Sequence, residues 1–310
     1  MLEIVDQAVE RCGWSVRRVL RRLGVRRSVY YEWLQRASEQ RLDDLLPGGR
    51  CPSAILPEEK EAVIGYALAH PKEGYRRLAW MMVDADVAYV SPASVYRVLN
   101  DADLLYRWKR SERVGEKPVA PTGPNQRWHT DLMYLRVGDV WYFLVSVLDG
   151  YSRYVVHWEL LTTMRAADVR RVVQQALEAN GLKDVEIVSD NGSQFTSADF
   201  KALVRQFALQ HIRIRTYHPE SNGTIERFHR STREALAEED LRNLARARER
   251  IGRWVRHYNE ERLHASLQYL PPAEFHRGRP EHRVAERRTK LEGARRNREA
   301  INRERFARAA

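Results

Sequence analysis

Apolar positions in the first third of the chain recur every three to four residues. They switch to alternation near residue 127 and return to helical spacing after residue 221. In "WSVRRVLRRLGVRRSVYYEWLQRA", Val16, Val19, Leu20 and Leu23 share one helical face. Gly24 is placed to end that helix in the left-handed conformation, and Ser28 to cap the next one. The apolar side of that second helix is Val29, Trp33 and Leu34. A helix, a tight glycine turn and a second helix make a helix-turn-helix pattern. Arg26, Arg27 and Tyr30 then stand at the start of the second helix, where such units read base edges. A plain helical hairpin gives the same pattern.

Further along, "GYRRLAWMM" reads as one helix, and "SPASVYRVLNDADLL" opens another with Ser91 as cap and Pro92 at the first helical position. A second helix-turn-helix and a structural helix pair fit this stretch equally. From Tyr106 to Gln126 periodicity is lost and Pro, Gly, Lys and Arg accumulate, which marks a linker. Beyond it, "RWHTDLMYLRV", "VWYFLVSVLD" and "RYVVHWEL" alternate as strands, the first two joined by a Gly-Asp turn. An amphipathic helix ending at Gly181, the strand "VEIV", another helix and the short strand "IRIRT" follow, then a long helix from near Ser221. The helical crossover predicts that the "VEIV" strand runs parallel to the first. The expected fold class is α/β, a mixed sheet flanked by helices. The expected organisation is a helix-turn-helix unit over 1–46, a second helical unit over 54–105, a basic linker over 106–126, the core over 127–275 and a basic helical tail over 276–310.

Charge changes this picture at one end. The formal net charge is +11, and residues 276–310 hold 12 basic and 5 acidic side chains, a net +7. Such a concentration predicts a polyanionic partner, most simply nucleic acid. The tail reads as an arm that orders on DNA or on a neighbouring subunit. Two cysteines exclude a disulfide framework and Cys-rich zinc sites, and they fit a reducing cytosol. No apolar run approaches membrane-spanning length, so no membrane partner is expected.

The candidate chemistry lies in three acids: Asp131 in the first strand, Asp190 at the end of the fourth, and Glu226 in the long helix. Carboxylates converging from two strands and a helix suit Mg²⁺, a hard cation that takes oxygen ligands. Spacing alone does not separate them from ordinary strand-end acids and an exposed helix residue. Their surroundings do: "WHTDLMYL", "SDNGSQFTS" and "YHPESNGTIERFHRSTREAL" resemble the catalytic core of DDE transposases and retroviral-type integrases. The resemblance is nearest to IS3-family insertion-sequence transposases. The 35 residues between Asp190 and Glu226 match that family's interval, and "VLDGYSRYVVHWEL" and "YNEERLHASLQYLPPAEF" are also similar to it.

The resemblance implies an RNase H-like core and catalysis by Asp131, Asp190 and Glu226 as ligands of two Mg²⁺ ions, with Mn²⁺ able to substitute. It further implies DNA cleavage at element ends and strand transfer by a 3′-OH. The partners would be double-stranded DNA, as element ends and target, and further copies of the chain in a homo-oligomer, at least a dimer. The setting would be the bacterial cytoplasm, in association with the nucleoid. The sequence departs from the family at Leu263, where proline is usual, and it lacks the zinc module of retroviral integrases. A nuclease without strand transfer and a non-catalytic DNA-binding regulator are the alternatives, the latter disfavoured by three intact acids.

On the long helix, Ile225, Phe228, Thr232 and Leu236 form the expected inward stripe, while Glu226, His229, Arg230 and Arg233 fall on one polar face suited to phosphate contact. The family also carries a basic residue where Arg233 stands. Asn191 and Gly192 are expected to make the sharp turn that frees Asp190, Gly192 through unusual backbone angles. Asp149 reads as a turn acid.

Overall fold

The structure is a computed structural model describing residues 1–38, 51–105, 120–213 and 223–308. It divides into two compact units, Met1–Ala54 with Asn302–Ala310, and Ile55–Ile301.

The first unit contains α1 (Leu2–Cys12), α2 (Val16–Leu23) and α3 (Arg27–Ser38). Gly24 ends α2 at φ 69°, the left-handed cap that the sequence predicts. Helix α3 starts at Arg27, one residue ahead of the expected cap Ser28. The small core is Val5, Val19, Leu20 and Tyr30, with Leu2, Val9 and Val16 packed against it. Tyr30 is therefore corrected from a DNA reader to a core residue: it is 3% exposed, and its hydroxyl lies 3.5 Å from Asp6 Oδ1. The cause is α1, whose apolar stripe needs a large partner from α3. Leu34, expected on the packed side, is exposed, as are Arg26 and Arg27.

The second unit begins with α4 (Pro57–Ala69), α5 (Tyr75–Asp84) and α6 (Pro92–Asp101), packed around Val63, Met82, Val95 and Leu99. The α6 start is as expected, with Pro92 in the first turn and Ser91 Oγ accepting from Ser94 N at 3.2 Å. Most of the expected linker, 106–119, lies outside the described residues, as does 214–222.

Next come β1 (Arg127–Val137), β2 (Val140–Asp149), β3 (Val155–Leu161), α7 (Ala166–Asn180), β4 (Glu186–Ser189), α8 (Ser193–Thr196), α9 (Ala198–Gln206) and β5 (Gln210–Arg213). The chain continues with α10 (Gly223–Leu236), α11 (Leu244–Glu260), α12 (Pro272–His276) and α13 (Pro280–Arg308). The five strands form one mixed sheet in the order β3-β2-β1-β4-β5, antiparallel among β1–β3 and parallel from β1 through β5. Strand β5 begins two residues before the "IRIRT" expected for it.

Alternation along β1 supplies both faces of the sheet. Trp128 and Leu132 join the cluster of Val169, Val173, Phe200 and Leu203 under α7 and α9. Met133, Leu135 and Val137 join Ile225, Phe228, Leu236 and Ile251 under α10 and α11. Strand β2 does the same, with Val145 and Val147 in the first cluster and Leu144 and Leu148 in the second, and each fully buried side chain of this kind contributes roughly 1.5–3 kcal/mol.

The tail differs from expectation. Helix α13 is continuous for 29 residues, and its hydrophilic sequence is held by pairs one turn apart, such as Arg288–Glu292 and Arg295–Glu299 at 2.8 and 3.1 Å. Its cations face acids of the helical unit: Arg287 meets Asp84, Lys290 meets Asp86, and Arg298 Nη1 reaches Glu59 Oε1 at 2.9 Å. Through Ile301 the tail is thus an intramolecular strap and not a free arm. Its excess charge is partly neutralised by carboxylates some two hundred residues away in sequence.

Candidate active site

Strands β1 and β4 are adjacent and parallel, pairing Arg127 with Glu186, Trp128 with Ile187 and His129 with Val188. The offset is constant at 59 positions; carried two steps on, it sets Asp131 beside Asp190. Residues in register on parallel neighbours share a face of the sheet. For Asp131 that face is fixed by Met133 and Leu135, two and four positions on, which pack under α10 and α11. Both aspartates therefore belong to the face that the Glu226 helix covers.

Local hydrogen bonds hold each aspartate by one oxygen. Asp131 Oδ1 accepts from Leu132 N at 2.8 Å, and Asp190 Oδ1 accepts from Gly192 N at 2.9 Å. The second bond is the Asn191–Gly192 turn at work, with Gly192 also preceding the short helix α8. The expected unusual backbone angle is absent. Gly192 sits at φ −54°, so the side chain of Asp190, not glycine's conformational freedom, shapes this turn.

Helix α10 approaches through His229, whose Nδ1 lies 3.5 Å from Asp131 Oδ2. His229 is 3% exposed, which removes it from the polar face where phosphate contact was expected. The buried arc of α10, packed against both β1 and α11, widens from Ile225, Phe228, Thr232 and Leu236 to include His229 and Ser231. Glu226, Arg230 and Arg233 remain exposed on the outer side. Glu226 stands one turn before His229, roughly 4.5 Å along the helix axis. Among the described residues no three His, Cys, Asp or Glu side chains gather closely enough to hold a metal ion. The register brings the two aspartates side by side, and Glu226 is not gathered with them into a metal-sized cluster. The approach to α10, 214–222, is outside the described residues.

The electrostatics single out Asp190. Burial raises its pKa, the Gly192 N–H opposes that, and the charge of Asp131 raises it further. Among the described residues its Oδ2 forms no hydrogen bond. Two neighbouring carboxylates, each with one oxygen tied and charges that repel, fit a hard divalent cation by donor chemistry. A raised folded-state pKa means that the ionised form costs stability. That cost is absent below the ordinary carboxylate pKa and grows as pH rises through the higher folded value. Asp190→Asn in the metal-free protein is therefore expected to melt higher than wild type at pH 7 and equally near pH 3. Melting curves across that range check it, and a lower melting temperature at pH 7 contradicts it.

Asp149, the acid closing β2, is a turn acid as read. It is wholly buried and accepts from Asn125 N at 2.8 Å and Ser152 N at 2.7 Å. Burial alone would raise its pKa, yet donors from His276, Ser152 and Asn125 bring it below the usual value. His229 as a partner of Asp131 was not foreseen from sequence. Its only signal was a position beside Phe228 on the inward stripe.

Comparison with known proteins gives the family. An integrase core domain model matches residues 121–219, and a second model of the same description matches 208–272. An "Insertion element IS476 uncharacterized 39.2 kDa protein" of Xanthomonas euvesicatoria is 31% identical over 276 residues, 86% of this chain and 77% of the relative. The transposase for insertion sequence element IS904 of Lactococcus lactis is 28% identical over 182 residues, 55% of this chain and 72% of the relative. Among solved structures, the HTLV-2 integrase catalytic core domain in complex with magnesium shares 20% identity at a TM-score of 0.43, covering 50% of this chain and 98% of that one. The sheet order and the two integrase-core matches describe an RNase H-like core, and the long alignment to an insertion-element protein extends the kinship well beyond it. The chain belongs to the integrase-core family of insertion-sequence transposases, enzymes that act on DNA in transposition.

Proposed function

We propose that the protein is a DDE-type polynucleotidyl transferase that cuts DNA at element ends and joins the freed 3′-OH to another strand. The observation that carries this is the in-register pair Asp131–Asp190 on the sheet face covered by the helix of Glu226. Asp131, Asp190 and Glu226 would hold two Mg²⁺ ions, Glu226 entering once α10 or the bound DNA brings it closer. A divalent cation bound there supplies Lewis-acid polarisation of the phosphate and a lower pKa for the attacking hydroxyl. The chain's own residues do the rest. The Leu132 and Gly192 N–H groups orient the two aspartates, and His229 holds Asp131 from the helix side. Arg230 and Arg233, exposed one and two turns beyond Glu226, are placed for backbone phosphates. Water and a DNA hydroxyl serve as successive nucleophiles, so one carboxylate set supports both steps. Holding two ends together calls for at least a dimer. Among the described residues no helix is long and apolar enough to cross a membrane. A metal-dependent assay that follows end cutting and strand joining separately tests the reading; cutting without joining favours a simple nuclease.

Selection of the ends is assigned to α2 and α3. Metal ligands and phosphate contacts carry no sequence information, so base reading needs another element. Arg26 and Arg27 are exposed at the start of α3, whereas Tyr30 is spent in the core. Arg26→Ala with Arg27→Ala is expected to lower preference for terminal over scrambled duplex by about 1–3 kcal/mol per lost guanine contact. Competition binding at fixed salt measures it. Unchanged discrimination moves end recognition elsewhere, most simply to α5 and α6.

A further inference from the structure

The turn after β2 holds an arginine in an uncommon backbone state. Asp149 accepts from Ser152 N, and Arg153 N donates to Asp149 O at 2.9 Å, so the loop closes tightly. Arg153 lies at φ 64°, a left-handed conformation that costs a non-glycine residue about 1–3 kcal/mol and persists only where surroundings impose it. The result is placement. Arg153 Nη1 donates to Thr224 Oγ1 at 2.8 Å in the first turn of α10, two residues before Glu226.

One neutral hydroxyl is a poor match for a guanidinium with five N–H donors. Among the described residues the Arg153 guanidinium has no other hydrogen bond and no ion pair. Arg227, exposed and next to Glu226, has neither. Among the described residues the side chain of Arg262, half-buried beyond α11, has no hydrogen bond or ion pair and lies over the face of Trp254, its Cζ 5.9 Å from the ring centre. Tyr258 ties these positions together: its ring centre lies 4.9 Å from that of Phe228, the neighbour of Arg227, and 4.7 Å from that of His264, two residues past Arg262. All three arginines act electrostatically on Tyr258 and His264, as Arg77 does on His264. Burial first, then the surrounding arginines, hold His264 down at about 3, so it stays neutral and adds no charge. The nearby acids reach these cations only through space, Asp149 acting on Arg153 while its oxygens are taken by its turn, and Glu73, bonded to Arg77, and Glu234 acting on Arg262. Elsewhere in this unit several shielded arginines have acid partners, Arg250 with Glu239, Arg287 with Asp84 and Arg298 with Glu59. Partly desolvated cations without a counter-ion are costly, and an anion is the missing component.

We propose that Arg153, Arg227 and Arg262 form an anion site that takes a backbone phosphate of bound DNA beside Glu226. The planar fork of arginine matches phosphate oxygens in pairs, and burial strengthens that match. The site would hold the strand one step from the phosphate being cut, fixing its path over α10 independently of the metal ligands. It rests on the DNA-processing reading above.

The test is binding of a labelled random-sequence duplex to the full chain in EDTA, across a salt series. Arg227→Gln/Arg262→Gln should flatten the log–log salt slope by about 0.9, the loss of one phosphate contact. Arg227→Lys/Arg262→Lys should restore most of it. Without DNA the Gln variant should melt at or above wild type, because like charges have been separated. An unchanged slope, or a loss of affinity that follows a lower melting temperature, overturns the site. Arg227→Gln alone, at an exposed position, gives the slope even if the double variant folds poorly. Because EDTA removes the metal chemistry, an unchanged slope here refutes the anion site only. Cutting by Asp190→Asn refutes the carboxylate reading only.

Discussion

Asp190→Asn and Glu226→Gln, each in the full chain with Mg²⁺, are expected to reduce both strand cutting and strand joining by at least about 10²–10³-fold, the scale of losing one preorganised electrostatic group. Both changes keep shape and remove the charge that a hard cation requires. Duplex binding measured in the same preparations should change little, since affinity comes mainly from counter-ion release at arginines and lysines. Losing chemistry while keeping binding separates a metal ligand from a residue needed for folding. Joining at near wild-type rate by either variant would remove that residue from the active site. Glu226→Gln is the more searching of the two, because Glu226 is exposed and does not yet meet the aspartate pair. If it behaves as Asp190→Asn does, α10 must bring its carboxylate in during the reaction.

The sequence carried the site better than it carried what surrounds it. Asp131 and Asp190 were legible through the motifs around them, which resemble a known family; strand alternation and the helical crossover predicted only that their strands run parallel, which the pairing of β1 with β4 bears out. The three antiparallel strands followed from period-two patterning, and Gly24, Gly181 and Pro92 marked helix ends through local chemistry. Tyr30 and His229 were misread for one reason. Helical spacing shows which residues share a face, but the width of the buried arc depends on what packs against it. For Tyr30 the missing information was α1, and for His229 it was the packing of α10 against both β1 and α11. The role of α13 was illegible in a different way. Twelve basic residues among five acidic ones look like a nucleic-acid arm until Asp84, Asp86 and Glu59 are found opposite them.

Arg287→Met is expected to destabilise the Ile55–Ile301 unit by about 3–5 kcal/mol, the typical cost of removing one member of a buried pair. Arg287 has a side chain only 4% exposed and joins three separate pieces of chain. Its Nε donates to Asp84 Oδ1 at 2.7 Å at the end of α5, and its guanidinium lies 5.0 Å from the ring centre of Trp80. Its two terminal nitrogens donate to the carbonyls of Gln268 and Tyr269 at 3.2 and 2.8 Å. Those two residues are consecutive and both left-handed, at φ 52° and 57°, a strained turn that Arg287 helps to impose. Removing it leaves Asp84 short of its main partner, frees two carbonyls and relaxes the turn beside the His264–Leu270 bridge. For a unit of this size the loss corresponds to roughly 6–20 °C in melting temperature. Arg287→Met combined with Asp84→Leu should recover a large part of it, since an apolar pair no longer strands a charge. Arg288→Met, one position on but exposed and paired only along its own helix, should shift melting by less than about 0.5 kcal/mol. Equal effects at Arg287 and Arg288 would mean that α13 is not a strap at all.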